Sequence, residues 1–363
     1  MTDRAATDRA VAAGTGRPLD VGRRRVVVGI RGLTVVIGLR SALVGAAFFV
    51  ATLGFVLLAL TLGDFPLTPA EVVGVVTGQV HGLSSTVVLE WRLPRALAAV
   101  LFGAALAVAG GIFQAVTRNP LASPDIIGLA NGSFTGMLVA LLALGGSWPL
   151  LTAGSLIGGL LAAVLIYLLA YRGGLHGFRF IVVGIGISAM LASVNTWMLL
   201  RAELETALFA SAWGAGTLNS VTAATAVPAG LCVVLLLALL PLVTPGIRQL
   251  DLGDDVASAT GVAVGRARLA AITLAVCLVS VVTAVAGPIA FVALAAPQIT
   301  RRLTRSPGIP LVTTGVVGGA LLLGSDLIAQ HVIPLTVPVG VVTVVLGGSY
   351  LVWLLIHESR RRA

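Results

Sequence analysis

The chain has no lysine; all 23 of its basic residues are arginine. A phosphate-binding loop of the GxxxxGK[ST] type needs its lysine on the nucleotide phosphates. Pyridoxal chemistry needs a Schiff-base lysine. Both are excluded, so if this protein works with ATP, another chain hydrolyses it. Charge of either sign is also scarce. Only 10% of the 363 residues are charged, against roughly 25% in an ordinary soluble domain, too few to keep a water-facing surface polar. The two cysteines, Cys232 and Cys277, each sit inside an apolar run without CxxC spacing. They read as buried bland thiols rather than a disulfide or a metal site. His81, His176, His331 and His357 fall on loops or helix ends, and none has HExxH or other ligand spacing. No metal site is expected. A membrane-embedded enzyme would need clustered His, Asp or Glu, which the sequence lacks.

What the chain has instead is apolar length: 58% of it is hydrophobic, and 44 residues are glycine. A spanning helix needs about 20 apolar residues, so there is room for roughly ten spans with short loops. Small residues suit a bundle in lipid, where helix backbones must approach closely. The expected fold is all-α, a polytopic membrane protein with about ten transmembrane helices. Residues 1–41 form an Arg-rich cytoplasmic tail. Arg23, Arg24 and Arg25 resemble a twin-arginine start, but Arg31 and Arg40 interrupt what would be the apolar core of a signal peptide. Residues 42–358 hold the ten-helix membrane domain, and 359–363 a short C-terminal tail.

The first span is read at 42–62, the second from Arg92 and Arg95 to about Val116. The prolines of the loop Arg118 to Asp125 then forbid a continuous helix. Further spans are expected at 126–144, 149–169, 180–200, 226–243, 269–286, up to Ile299 after a Gly287-Pro288 break, 310–330 and 339–356. Residues 201–225 suggest a short interfacial helix, and Thr244 to Arg268 a polar loop. Arginine near span ends is retained in the cytoplasm. With the N-terminus inside, 20 arginines fall on cytoplasmic segments, and only Arg92, Arg95 and Arg201 fall outside. A wrong span number would scramble this alternation. Both termini are therefore expected in the cytoplasm.

Several ordered motifs follow one another along the chain. They are Glu90-Trp91-Arg92-Leu93-Pro94-Arg95, GAALAVAGGIFQ from Gly103 to Gln114, and RNPLASPDIIG from Arg118 to Gly128. LDLGDDVASATGV from Leu250 to Val262, AGPIAFVALAAP from Ala286 to Pro297 and VPVGVVTVVLGG from Val337 to Gly348 complete the set. At these spacings the chain resembles the iron-siderophore and vitamin B12 permease family of ABC importers over residues 42–358. The segments Asn195 to Leu208 and Gly347 to Arg362 are similar to permeases of enterobactin-type ferric siderophores in particular.

The resemblance implies a second, homologous permease subunit and two ATPase subunits that hold ATP and magnesium. It also implies a soluble or lipid-anchored substrate-binding protein and a ferric siderophore as cargo. No cofactor on this chain, no catalytic residue and no nucleic acid are expected. Arg92 and Arg95 lie three apart on one helix face, and arginine forks pair well with carboxylates. The resemblance makes them docking residues for the binding protein, against a reading as snorkelling anchors. Gln330 stands where relatives often carry a second docking arginine.

Asp251, Asp254, Asp255, Ala257, Gly261, Val262 and Arg266 fall in the segment that the resemblance makes the coupling element to the ATPase. It is expected as two short helical pieces parted near Gly261. Asn119, Pro120 and Leu121 are expected near the ATPase. Gln298 replaces a common family histidine, which puts a polar role there in doubt. Asp326, near the outer end of a span, is read either as functional or as paired locally. A cobalamin or haem permease is the alternative within the family. An ion-coupled secondary transporter is the alternative class, but it would show ionisable residues deep in several spans.

Overall fold

A computed structural model describes residues 25–30, 33–125, 128–171, 177–334 and 337–362. Arg23, Arg24, Arg31, His176 and the expected start of the third span at Ile126 lie outside the described residues. Ahead of the bundle, strands β1 (Arg25–Ile30) and β2 (Leu33–Gly38) pair antiparallel, with Arg25 opposite Gly38. The runs of β-branched valine and isoleucine here suit a strand, and the sequence reading had placed only a tail at this point.

Among the described residues all other regular structure is helical. α1 spans Leu39–Thr61 and α2 Pro69–Val76. α2 opens with a capping box in which Thr68 and Glu71 satisfy each other's backbone N–H groups. α3 (Leu83–Thr86) runs through one wide π-type turn, Val87–Arg92, into α4 (Leu93–Thr117). Pro94 has no N–H to give the preceding turn, and the wide turn accommodates its ring. The resulting segment of 35 residues begins at Leu83, earlier than the second span was expected from the sequence.

α5 (Leu129–Ala143), α6 (Trp148–Ala170) and α7 (Gly177–Arg201) follow. The expected short helix is α8, Leu204–Gly214, whose Trp213 is buried and stacked on Phe134. α9 (Ala223–Ala238) and α10 (Leu240–Leu250) meet at a bend of 50°. Pro241, in the first turn of α10, withholds a donor from the preceding turn and explains the bend. Much of the expected polar loop after Thr244 is therefore helix. α11 (Asp254–Ala259), α12 (Val264–Ala286), α13 (Val292–Thr304), α14 (Leu311–His331) and α15 (Val339–Arg362) complete the chain.

Among the described residues six helices are long and apolar enough to cross a membrane, and the bent pair α9–α10 makes a seventh. α5, α13 and the apolar part of α15 are shorter. These three supply the rest of the ten segments expected from the sequence. At 1.5 Å per residue a 15-residue helix such as α5 reaches about 22 Å, short of the roughly 30 Å hydrocarbon core. Irregular backbone is tolerated at that depth only where protein surrounds it. α5 does begin inside the bundle, where Gly128 is left-handed at φ 92° against Ser188.

α4 is the axis of the bundle. Nearly four-fifths of its apolar window is buried, among α14, α12, α13 and α9. Its face of small residues makes this close packing feasible. Gly103 lies against the Gly318 carbonyl of α14, and Gly110 against the Ala293 carbonyl of α13. A second seam joins α5 to α6, where Gly132 and Gly136 face Gly154 and Gly158 with no room for a Cβ on either side. By contrast α1, α7 and α9 leave most of their apolar side chains on the outside of the bundle.

Candidate functional site

Polar groups gather at the two ends of this bundle. At one end, the N-terminal end of α4 meets the C-terminal ends of α1 and α14. Arg95 Nε and Nη2 donate to Asp326 Oδ2 and Oδ1 at 3.0 and 2.7 Å. This is a bidentate fork of the strong kind. Gln330, one turn further along α14, donates from Nε2 to Asp326 Oδ2 at 2.6 Å. Asp326 is 1% exposed, so burial without these donors would be costly. Of the two readings of this carboxylate, the geometry shows the local pair.

Arg92 turns elsewhere, giving Nη1 to Leu60 O at 2.8 Å and Nη2 to Phe65 O at 2.7 Å. A cation on the last carbonyls of α1 caps that helix and complements its dipole. The two arginines therefore reach different neighbours instead of presenting one common face. The wide turn ends at Arg92, and the backbone from there to Arg95 is regular helix, so it is the side chains that diverge. The guanidinium groups of both are already engaged within the chain.

At the other end, α4 stops at Arg118, which takes a left-handed conformation at φ 50°. The Asn119 N–H closes back on Gln114 O at 3.2 Å, a helix-ending turn in which glycine is the usual residue. Arg118 Nε donates to Leu250 O at 3.1 Å, at the end of α10. Its Nη2 forms an ion pair with Asp254 in the first turn of α11. Arg268, buried in the second turn of α12, donates to Asp254 Oδ1 and Oδ2 at 2.9 and 3.0 Å. One carboxylate thus holds two arginines from two helices. Asp251 sits beside Gly308. Its partial burial pushes the carboxyl up, and Arg301 and Arg118 offset part of that.

The expected break falls at Gly261, left-handed at φ 84°. It separates α11 from α12, so the second helical piece is the start of the long helix itself. Ala257 is buried and Val262 half-buried, while Asp255, Arg266 and Gly261 are exposed. Leu252 and Val256 are exposed as well, at 67% and 46%. The sequence reading did not single out these two apolar residues, although their place beside Asp254 and Asp255 offered the signal.

From this end the chain continues as the segment 118–125. Asn119 Oδ1 accepts from the Leu121 N–H at 2.9 Å and fixes the turn. Pro120 O accepts from Gln298 Nε2 at 3.2 Å. Gln298 also donates to Gln114 Oε1 at 2.6 Å, and Gln114 Nε2 donates to Leu294 O at 3.1 Å. Position 298 therefore has a polar role, which the sequence reading had doubted. Asp125 Oδ2 accepts from the Phe291 N–H at 3.2 Å, where α13 begins. Leu121 stays exposed. Among the described residues no group of three His, Cys, Asp or Glu could hold a metal ion.

Apolar helices broken at glycine and proline, locked by ion pairs at both ends, define a polytopic helical membrane protein. The chain belongs to the FecCD transport family, which matches residues 50–357. It is 45% identical over 301 residues to the ferric enterobactin transport system permease protein of Escherichia coli K12, covering 83% of this chain and 91% of the relative. It is 35% identical over 278 residues to the iron(3+)-hydroxamate import system permease protein of the same organism, covering 75% of this chain and 42% of that one. A solved structure described as an inward-facing conformation of a metal-chelate type ABC transporter shares the fold at TM-score 0.78. It is 23% identical, with 87% of this chain and 99% of that chain covered.

Proposed function

We propose that the chain is the permease subunit of an ATP-driven importer that carries a ferric siderophore of the enterobactin type across the cytoplasmic membrane. The observation that carries this reading is the 45% identity, over nine-tenths of its length, to a ferric enterobactin permease. The iron stays in its chelator, so the permease supplies a path and no metal ligands. ATP and magnesium belong to two partner ATPase subunits, and a second permease subunit completes the path. Both termini lie in the cytoplasm, in keeping with the arginine distribution.

In this reading the Arg92, Arg95 and Gln330 end faces outward and receives the binding protein. The engaged state of the two arginines sharpens that role. A carboxylate from the binding protein must compete with Asp326 for Arg95, so docking exchanges one ion pair for another. At the inner end, Asp251, Asp254, Asp255, Ala257, Gly261, Val262 and Arg266 form the coupling element. Exposed Leu252 and Val256 give it an apolar face for a groove on the ATPase, and Asn119, Pro120 and Leu121 lie beside it.

The test is uptake. Coexpressed with its cognate subunits in cells that lack other siderophore permeases, the chain should import ferric enterobactin in preference to ferric hydroxamates, cobalamin and haem. Uptake of cobalamin or haem alone would overturn the substrate assignment. Uptake that persists without any ATPase subunit would overturn the class in favour of ion coupling.

A further inference from the structure

We propose that Arg118 is a positioning residue that ties the coupling segment to the interior of the bundle, so that movement of α11 moves the 118–125 segment and α13. The inference rests on the permease reading above and names the residue that would transmit its power stroke. Three observations carry it. First, Arg118 occupies a left-handed helix end, φ 50°, where glycine is the least strained choice. Second, its guanidinium uses that position to reach both sides of the joint between α10 and α11, at Leu250 O and Asp254. Asp254 in turn carries the two hydrogen bonds from Arg268 on α12.

Third, the residues that follow Arg118 are fastened further inside. Pro120 is held by Gln298, which is itself bonded to Gln114 of α4. Asp125 holds the N–H of Phe291, the left-handed residue that starts α13. The segment is thus fixed to the lever at one end and to the broken α12–α13 joint at the other. At the lever end one guanidinium holds two acceptors, the Leu250 carbonyl and the Asp254 carboxylate. Leu250 O and Asp254 are about a turn of chain apart, and a forked side chain spans both where a point charge spans one.

The backbone at Arg118 offers a clean experiment. Arg118→Gly keeps the left-handed turn and removes the guanidinium. In the assembled complex with both permease subunits, the ATPase subunits and the binding protein, siderophore imported per ATP hydrolysed should fall about tenfold. Arg118→Lys should recover part of that ratio, since it keeps the contact to Asp254. Asp254→Asn should resemble Arg118→Gly, and the double variant should be no worse than Asp254→Asn alone. A second readout needs no cargo. Cysteine placed at exposed Leu121 should change its thiol reactivity when a nonhydrolysable ATP analogue binds, and that change should vanish with Arg118→Gly.

Normal stoichiometry in Arg118→Gly, an unaltered Leu121 response, or losses that multiply in the double variant would each overturn the inference. Failure of Arg118→Gly to assemble would overturn it too, by making the residue structural. A parent complex that shows the nucleotide response at Leu121 but imports no siderophore instead sinks the substrate assignment and leaves the tether readable.

Discussion

Replacement of Asp326 by asparagine removes one charge from a buried pair and changes little else. Arg95 then loses the carboxylate that accepts its two donors at 3.0 and 2.7 Å. Breaking one partner of a buried pair costs about 3–5 kcal/mol. The Arg95 side chain is 19% exposed and lies at the bundle end, where a long side chain can turn toward water, so the lower figure applies. Unfolding entropy of about 2.1 cal/mol/K per residue over 363 residues comes to roughly 0.76 kcal/mol/K. A loss of about 3 kcal/mol then lowers Tm by about 4 °C. A detergent-solubilised bundle keeps some helix when it unfolds, which reduces that entropy and enlarges the shift.

The assay is a thermal melt of the purified chain, followed as a double-mutant cycle with Arg95→Met, Asp326→Leu and both together. Replacing both charges should be far less harmful than the sum of the singles, with an interaction energy of at least about 1.5 kcal/mol. Additive losses, or an Asp326→Asn melt within 1 °C of the parent, would refute the argument that this pair holds α4 to α14. The same variant bears on docking. With its internal rival gone, Arg95 should bind the binding protein more tightly at low salt, and unchanged affinity would remove Arg95 from the docking surface.

Gly136→Val places a branched side chain against Gly154 and Gly158. It should destabilise the α5–α6 pair by roughly 1–3 kcal/mol or more, read as lost expression and a lower melt, whereas Gly186→Val, on an open face, should not. Glu71 in its capping box is held below the usual carboxylate range by hydrogen bonds from Thr68, backbone first. Its contribution is therefore present above the unfolded pKa and lost as pH falls through the lower folded one. Protection of the α2 amides, taken against the intrinsic exchange rate at each pH, should fall below about pH 4, and in Glu71→Gln that fall should disappear. For orientation, cysteine at His81 should react with an impermeant thiol reagent in intact cells, and cysteine at exposed Ser258 only after lysis; the reverse pattern would invert the proposed topology.

Apolar length and arginine placement made the helices legible, because both follow from partition between lipid and water. The ends were less so. The wide turn at Val87–Arg92 and the α9–α10 bend depend on which carbonyls lose a donor to Pro94 and Pro241, and sequence marks the proline without marking the geometry that absorbs it. The site residues were found by pattern, yet their pairings were not. Arg95 and Asp326 are 231 positions apart, and Arg118 and Asp254 136 apart. Only the packing of α4 brings either pair together. Leu252 and Val256 were overlooked because exposed apolar residues look ordinary in so apolar a chain. Gln298 was undervalued because its partners are a backbone carbonyl and another glutamine, neither visible as a motif.

The glycine seam between α5 and α6 limits how this gene can drift. Every first- or second-base change in a glycine codon gives either a stop or a residue with a Cβ, and at Gly132, Gly136, Gly154 and Gly158 a Cβ would run into the opposite backbone. No neutral first step leads away from any of the four. Nor can a change on one helix be rescued by shrinking a side chain on the other, because each of the four positions also abuts a glycine carbonyl there. The seam is a sequence trap, and α5 and α6 can change their spacing only by abandoning this contact altogether.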